Sequence, residues 1–264
     1  MSAILYEAPA VVGGETYAGV ARVTLNAPEK RNALNYAMVN ELTDALRQAD
    51  ADPSVRVILL TAAGDHFSAG GNLKEFAAEL DESAVALWAS GGAWEAMFDL
   101  APRLAKPIVA AVQGYALAGG AGLVALADLA VAAADAEFGC TEIRIGLFPL
   151  MILPALRRAV GEKRALEMAL TGRMVEAHEA AAWGLVNRVV PRAELETTAL
   201  RLAVSLAAAS PEAMRLGKYL FYATADMSYH EALTFGRTLR ATYMHSADLR
   251  EGITAFLAKR KPQW

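Results

Sequence analysis

Residues 106–149 read KPIVAAVQGYALAGGAGLVALADLAVAAADAEFGCTEIRIGLFP, and this stretch decides the fold. An apolar run at 108–112, bounded by proline and glycine, is typical of a buried strand. A glycine-rich turn over 114–122 follows, then a helix to about residue 127 and a second strand at 129–133. Because a helix start carries unpaired N–H groups, this strand–turn–helix–strand order predicts backbone donors aimed at an anion.

A single carboxylate stands out beyond this unit. Glu142 lies twenty residues after Gly122, in an apolar loop punctuated by glycine. Burial there would raise its pKa and let it exchange protons near neutral pH. Two Ala-Gly-Gly turns, at 69–71 and 118–120, each follow a strand and precede a helix, which indicates a weak internal repeat. Two N–H groups from such turns can hold a carbonyl oxygen as it gains charge, so the pattern indicates proton transfer beside a carbonyl.

Composition limits the class of protein. The 264 residues can bury a large core in one domain, or in one domain with an appendage. The most apolar stretch, 114–127, is too short to span a membrane, and no secretory leader is visible at the start. The one cysteine, Cys140, allows no internal disulfide, and a net charge of −4 without a basic tract argues against nucleic acid. We therefore expect a cytoplasmic globular protein with no nucleic-acid or membrane partner.

The rest of the chain predicts strands first and helices last. Residues 76–105 have a helical composition that Gly91-Gly92 interrupts, and large apolar side chains there and just after Pro149 are candidates for an acyl pocket: Trp88, Trp94, Met97, Phe98 and Met151. The other predicted elements are strands at 4–6, 17–26, 55–61, 173–175 and 186–190, and helices from 35, from 72, at 150–160, 162–170, 176–183, 192–208, from 211, at 229–245 and at 247–258.

Other catalytic patterns are weaker. Gly120-Ala121-Gly122 with Ala125 fits a dinucleotide fingerprint, but it starts eight residues after its strand, and no second nucleotide-binding half is visible. His66 stands where a nucleophile elbow needs glycine, so no serine nucleophile is predicted. The four histidines lack metal-ligand spacing, and no histidine near Cys140 could activate it. We expect Cys140 to be a small buried side chain.

Motifs spread over nearly the whole chain resemble those of the enoyl-CoA hydratase/isomerase (crotonase) family. They are EKRNALN at 29–35, HFSAGGNLKE at 66–75, KPIVAAVQG at 106–114, LAGG at 117–120, EFG at 137–139, EIRIGLFP at 142–149, AAWGLVN at 181–187, EGI at 251–253, Phe256 and Lys259-Arg260. The resemblance implies an α/β fold, a crotonase-like spiral of repeated ββα units with a C-terminal helical trimerisation region. It also implies a core with the acyl-CoA site over residues 1–195, a helical oligomerisation region over 196–264, and a homotrimer or dimer of trimers.

The resemblance further implies an acyl-CoA thioester as substrate, with no cofactor besides the coenzyme A that the substrate carries, and no metal. The backbone N–H groups of Gly71 and Gly119 would form the oxyanion hole, and Glu142 would be the catalytic acid/base. Substrate and CoA contacts would come from Lys30, Arg31, Ala33, Leu34, Ala69, Leu117, Phe256 and Lys259.

Two positions depart from the family pattern. Hydratases of this family usually carry two catalytic glutamates, and the earlier one falls on Gly122 here; Asn72 also replaces the usual acidic residue after the first oxyanion glycine. One carboxylate can move a proton from C2 to C4 of a 3-enoyl thioester, whereas hydration of a 2-enoyl thioester is easier with two. Hydration and isomerisation therefore both stay open. The alternatives are an acyl-CoA-binding protein with weak catalysis and, further away, a NAD-dependent oxidoreductase.

Overall fold

The computed structural model describes residues 2–264. The strands are β1 (Ile4–Glu7), β2 (Ala10–Val12), β3 (Glu15–Tyr17), β4 (Val20–Leu25), β5 (Val57–Ala62), β6 (Ile108–Val112), β7 (Tyr115–Leu117), β8 (Leu129–Ala133), β9 (Glu137–Gly139), β10 (Val175–Glu176) and β11 (Arg188–Val190). The helices are α1 (Tyr36–Ala51), α2 (Leu73–Glu79), α3 (Ala84–Leu100), α4 (Gly119–Leu126), α5 (Leu153–Val160), α6 (Glu162–Thr171), α7 (Ala177–Trp183), α8 (Leu195–Ala207), α9 (Pro211–Ala223), α10 (Tyr229–Tyr243) and α11 (Ala247–Leu257). Short 3₁₀ helices cover Pro28–Lys30, Ala101–Arg103, Thr141–Ile145 and Arg192–Glu194.

The main sheet has six strands in the order β1-β4-β5-β6-β8-β11. All neighbours pair in parallel except β1, which runs antiparallel to β4. The central strand β6 is apolar at every position, and its neighbour β5 is apolar except at Thr61, as expected for strands covered on both faces. Alternate residues point to opposite faces, so Ile58 and Leu60 join one hydrophobic cluster, while Val57 and Leu59 join the other.

A second, shorter layer of strands runs beside the main sheet. It contains β10, β9 and β7, and single bridges extend it from Ala116 to Ser68 and from Gly71 to Leu34. Each of four main-sheet strands is followed by a segment of this layer and then by a helix: β4 by Leu34 and α1, β5 by 68–71 and α2, β6 by β7 and α4, and β8 by β9 and the 3₁₀ helix at Thr141–Ile145. The α/β fold predicted from the motifs, built from ββα units, is confirmed.

Three local predictions were wrong. The stretch 114–122 is not one turn, because it contains β7 and the first half of α4. Gly91-Gly92 does not break a helix, since α3 runs through both residues. This helix begins after its N-cap Ser83, whose hydroxyl accepts a hydrogen bond from the N–H of Ala86. Glu142 lies on a 3₁₀ helix rather than in an irregular loop.

The C-terminal helices divide into two groups. α8 packs on the main sheet through Leu195, Ala199 and Ala203, and so shares the second hydrophobic cluster. α9 is tied to the core by the buried side chain of Lys218, which donates to Asp128 (2.7 Å) and to the carbonyl of Lys106 (3.0 Å). α10 buries none of its residues in this chain. The division at residue 195 and the oligomerisation role of 196–264 stay predictions.

Candidate active site

Three segments of the second layer lie side by side and bring distant parts of the chain together. Ser68 pairs with Ala116, and Ala116 pairs with Phe138, all in parallel. Parallel pairing keeps residues at equal distances along neighbouring segments at the same level of the layer. The residues that follow each pairing therefore meet at one edge.

The predicted catalytic residues lie at that edge. Three residues beyond the paired level are Gly71, Gly119 and Thr141, and Glu142 comes next. This register aligns Gly71, the second glycine of the 69–71 turn, with Gly119, the first glycine of the 118–120 turn. The internal repeat is therefore real in the structure but offset by one residue from the repeated tripeptide.

The backbone turns sharply just before each glycine donor. Gly70 has φ +90°, and the residue at the same level, Ala118, has φ +49° and ψ −122°. Such a conformation costs a non-glycine residue about 1–3 kcal/mol and occurs mainly at functional sites. A Cβ on Gly70 would lie 2.5 Å from the Cβ of Ala118, so only glycine fits there.

These turns leave two backbone donors free. The N–H groups of Gly71 and Gly119 make no hydrogen bond to any residue in the described range 2–264. Gly119 is also the first residue of α4, where the helix dipole favours negative charge. Two free N–H groups on neighbouring segments can hold a carbonyl oxygen that gains negative charge, so their role as an oxyanion hole stays a prediction.

A buried polar network fixes the first donor turn. The Ser68 hydroxyl donates to the carbonyl of Asn32 (2.8 Å) and accepts from the N–H of Gly70 (3.1 Å), next to Gly71. The Asn32 side chain, fully buried, donates to two backbone carbonyls of the 63–66 loop. The motifs did not predict that Asn32 and Ser68 position the donor turn, because neither motif alone shows that the two residues are in contact.

Glu142 is half-buried and unpaired. Its Oε2 atom is buried without a hydrogen-bond partner, and no ion pair of its side chain occurs among residues 2–264. Burial in these surroundings raises the pKa of the Glu142 carboxyl above its usual range. The direction of this shift is the one that the sequence predicts for a buried Glu142, and its role as acid/base stays a prediction.

Cys140 is not a nucleophile. It is fully buried, and burial raises the pKa of its thiol to about 12, with the charge of Glu142 adding to this effect. A neutral buried thiol behaves as a small apolar side chain.

The space beside Gly122 is filled by apolar side chains. A Cβ on Gly122 would lie 2.5 Å from Cγ2 of Ile152 and 2.9 Å from Cε1 of Phe98. The position where related hydratases carry a second glutamate therefore has room for hydrogen only. Gly122 therefore supplies no second carboxylate beside Glu142.

An aromatic pair covers the start of α4. Trp94 and Phe98 stack with ring centroids 6.4 Å apart, and the Trp94 ring lies 3.3 Å from the Cβ position of Gly119. Two of the predicted pocket residues therefore flank the donor site. Met97 is fully buried, whereas Trp88 is 83% exposed, so the structure does not place Trp88 in the same wall.

Several predicted CoA-binding residues lie next to the donor turns. Leu34 pairs with Gly71, and the N–H of Ala69 donates to the carbonyl of Arg31 (2.9 Å). Lys30 ends the first 3₁₀ helix, and Arg31 and Ala33 follow it; the N–H of Ala33 donates to the carbonyl of Lys30. Leu117 pairs with Gly139 beside the second turn.

Phe256 and Lys259 lie elsewhere in the chain. Phe256 borders an apolar groove on the C-terminal helices together with Tyr243 and Trp264. Lys259 follows α11 with φ +53°. Both residues lie on the C-terminal helical part of the chain, away from the donor turns. Their contact with CoA stays a prediction.

The dinucleotide fingerprint has a packing role. Its glycines lie inside α4 rather than in a turn before it, and the Cβ position of Gly120 is 2.8 Å from Ser68. With Gly122 against Ile152, neither glycine leaves room for a pyrophosphate. The range 2–264 also contains no cluster of His, Cys, Asp and Glu suited to a metal ion, and none of its helices is long and apolar enough to cross a bilayer.

Comparison with known proteins agrees with this geometry. Residues 15–264 match the family model described as enoyl-CoA hydratase/isomerase. The chain belongs to the enoyl-CoA hydratase/isomerase family. Its fold is that of the crotonases: the crystal structure of an enoyl-CoA hydratase from Mycobacterium smegmatis superposes with a TM-score of 0.90 at 36% identity, covering 99% of this chain and 98% of that one.

Relatives of this family share most of their length with the chain. A Thermus thermophilus protein named "Putative enoyl-CoA hydratase" is 40% identical over 245 residues, which is 93% of this chain and 97% of that one. A Xenopus laevis protein named "Enoyl-CoA hydratase domain-containing protein 3, mitochondrial" is 37% identical over 248 residues, or 93% of this chain and 83% of that one.

Proposed function

We propose that this protein is an enoyl-CoA isomerase-type enzyme that converts a 3-enoyl-CoA thioester into the 2-enoyl-CoA. The single observation that carries the proposal is the combination of one half-buried carboxylate, Glu142, with a Gly122 position closed by Ile152 and Phe98. The crotonase family includes hydratases and isomerases, and this site holds the groups that isomerisation needs.

In the proposed reaction, Glu142 carries one proton between two carbon atoms of the substrate. Its carboxylate removes a proton from C2, and the electron pair moves into the thioester to form an enolate. The N–H groups of Gly71 and Gly119 stabilise the charge on the thioester oxygen. The protonated Glu142 then returns the proton to C4, and the double bond forms between C2 and C3. The raised pKa of Glu142 favours the removal of the proton from C2, because it makes the ionised carboxylate a stronger base.

Hydration is the less favoured reaction, because it needs two acid/base functions. Adding water to a 2-enoyl thioester requires one group to activate the water and one to protonate C2. In this chain Glu142 would have to do both in turn, because Gly122 supplies no second carboxylate. The names of the relatives favour hydration, so we treat it as the second candidate, and a catalytically weak acyl-CoA-binding protein as the third.

Product analysis separates these candidates. We would incubate the purified protein with a short 3-enoyl-CoA and, separately, with the matching 2-enoyl-CoA, and follow the products by chromatography and mass. We expect the 3-enoyl-CoA to convert without change of mass, and the 2-enoyl-CoA to gain water slowly or not at all. Faster gain of water than isomerisation would contradict the proposal in favour of a hydratase.

The carboxylate is tested by substitution. Glu142→Gln should lower the isomerisation rate by about 10²–10⁴-fold, because it removes the one acid/base group. Glu137→Gln makes the same chemical change five residues earlier, at the start of β9, and should leave the rate near that of the unmodified protein. If Glu142→Gln retains full activity, the assigned role of Glu142 is wrong. If neither substrate reacts, the acyl-CoA-binding alternative gains support.

A further inference from the structure

The face of α4 that begins at the donor Gly119 is sealed by apolar groups. Gly119 and Gly122 are three residues apart, so they lie on the same side of the helix. α3 covers both positions, with Trp94 over Gly119 and Phe98 over Gly122. Ile152, just before α5, closes the second position from the other side.

Ile152 is held firmly in this place. It is 3% exposed, and its carbonyl accepts the N–H of Leu156, a bond of the first turn of α5. The next residue, Leu153, donates to the carbonyl of Pro149 (3.0 Å), which fixes the turn leading into the helix. These backbone hydrogen bonds fix the main chain at Ile152, and so they fix the point from which its side chain packs against Gly122.

A water molecule between these side chains would lack partners. A buried water normally makes about three hydrogen bonds to polar groups. Here the atoms nearest the Cβ position of Gly122 are Cγ2 and Cβ of Ile152 and Cε1 of Phe98, all of them carbon. Neither a carboxylate side chain nor a water that attacks the substrate is stable in that space.

We propose that Ile152, together with Phe98, determines the reaction specificity of the enzyme by excluding water and a second carboxylate from the space beside Gly122. The inference rests on the proposed function, since it assigns these two side chains a role at the same site. It states that the protein isomerises because this space is closed, and that Gly122→Glu alone does not make it a hydratase.

The first experiment tests the contact without relying on catalysis. Gly122→Ala should lower the melting temperature, because the new Cβ overlaps Ile152. Ile152→Ala should lower it as well, because it empties part of the core. In the double variant the closest overlap, with Cγ2 of Ile152, is gone, so the loss in melting temperature should be smaller than the sum of the two single losses. Strict additivity would overturn the assigned contact.

The second experiment measures reaction specificity. For each variant we would determine the initial rate of 3-hydroxyacyl-CoA formation from 2-enoyl-CoA, divided by the rate of 2-enoyl-CoA formation from 3-enoyl-CoA. Hydration adds the hydroxyl of water to C3 and a proton to C2. We expect Ile152→Ala to raise this ratio, and Gly122→Glu with Ile152→Ala to raise it by about 10-fold or more.

A matched control removes a similarly buried side chain four residues later, inside α5. Leu156→Ala empties a fully buried position on α5 and should lower stability without changing the product ratio. An unchanged ratio in both Ile152 variants, or efficient hydration by Gly122→Glu alone, would overturn the inference. Two other results would contradict the proposed function rather than the role of Ile152. They are the absence of isomerisation in the unmodified protein and full activity of Glu142→Gln.

Discussion

At the scale of single residues, the site departs from what stability alone would favour. Glu142 keeps a buried carboxylate oxygen without a partner, and Ala118 adopts a backbone conformation that usually requires glycine. Both features cost free energy of folding. Such departures are typical of functional sites, where the rest of the structure supports a geometry that the local sequence disfavours.

The burial of Glu142 has a consequence for pH dependence. The general base must be ionised, so the isomerisation rate should fall as the pH drops through the raised pKa of Glu142. The acid limb of the rate profile should therefore lie above the usual carboxyl range. A profile that stays flat down to the usual carboxyl pKa would contradict the assigned role.

Stability should change in the opposite sense from activity. Because the pKa of Glu142 is higher in the folded than in the unfolded protein, its ionised form destabilises the fold above the folded pKa. This loss disappears below the unfolded pKa, where the carboxyl is protonated in both states. Thermal unfolding should thus show Glu142→Gln to be more stable than the unmodified protein at neutral pH, with the difference vanishing in acid.

At the scale of elements, glycine has opposite effects in two places. In α3 it is tolerated inside a regular helix, and a Cβ on Gly92 would meet no atom within 4 Å. In the donor turn, Gly70 combines φ +90° with a Cβ position 2.5 Å from Ala118. Only the second glycine is required by its surroundings.

These glycines make a paired prediction. Gly92→Ala should stabilise the protein by about 0.5–1 kcal/mol, because alanine loses less backbone entropy in a helix. Gly70→Ala should destabilise it by about 2 kcal/mol or more, through strain and overlap. Denaturant unfolding of both variants measures the difference. A loss of stability in Gly92→Ala would show that α3 does not run unbroken through residue 92.

At the scale of the whole molecule, the C-terminal helices expose a large apolar surface. Phe221 on α9 is 72% exposed, Tyr229 on α10 is 82% exposed, and Phe256 on α11 is 83% exposed. Large apolar side chains exposed together on one part of a surface are typical of a protein–protein interface. It supports the prediction, made from the family resemblance, of a homotrimer or dimer of trimers.

The assembly can be tested directly. We expect light scattering after size-exclusion chromatography to give the mass of three or six chains. Phe221→Asp with Leu233→Asp should shift the protein to smaller species, since both exposed side chains lie on these helices. Leu166→Asp, a similarly exposed position on α6, serves as the control. A monomer in the unmodified protein would refute the prediction.

The amino-acid sequence alone determined much of this protein. Runs of apolar residues at 108–112 and 129–133 predicted the strands of the same bounds, because a continuous apolar run has few other ways to be buried. The capping box of Ser228 and Glu231 marked the start of α10. The family, and with it the choice of Gly71, Gly119 and Glu142 as candidates, followed from motifs spread along the chain.

Only the tertiary structure decided how those residues meet. The segments β7 and 68–71 are too short to be recognised as strands from the sequence, and their pairing joins residues nearly fifty positions apart. That pairing shifts the two Ala-Gly-Gly turns by one residue and aligns Gly71 with Gly119. The closure of Gly122 by Ile152 is likewise a contact between distant residues, and contacts of this kind depend on packing that no local pattern encodes.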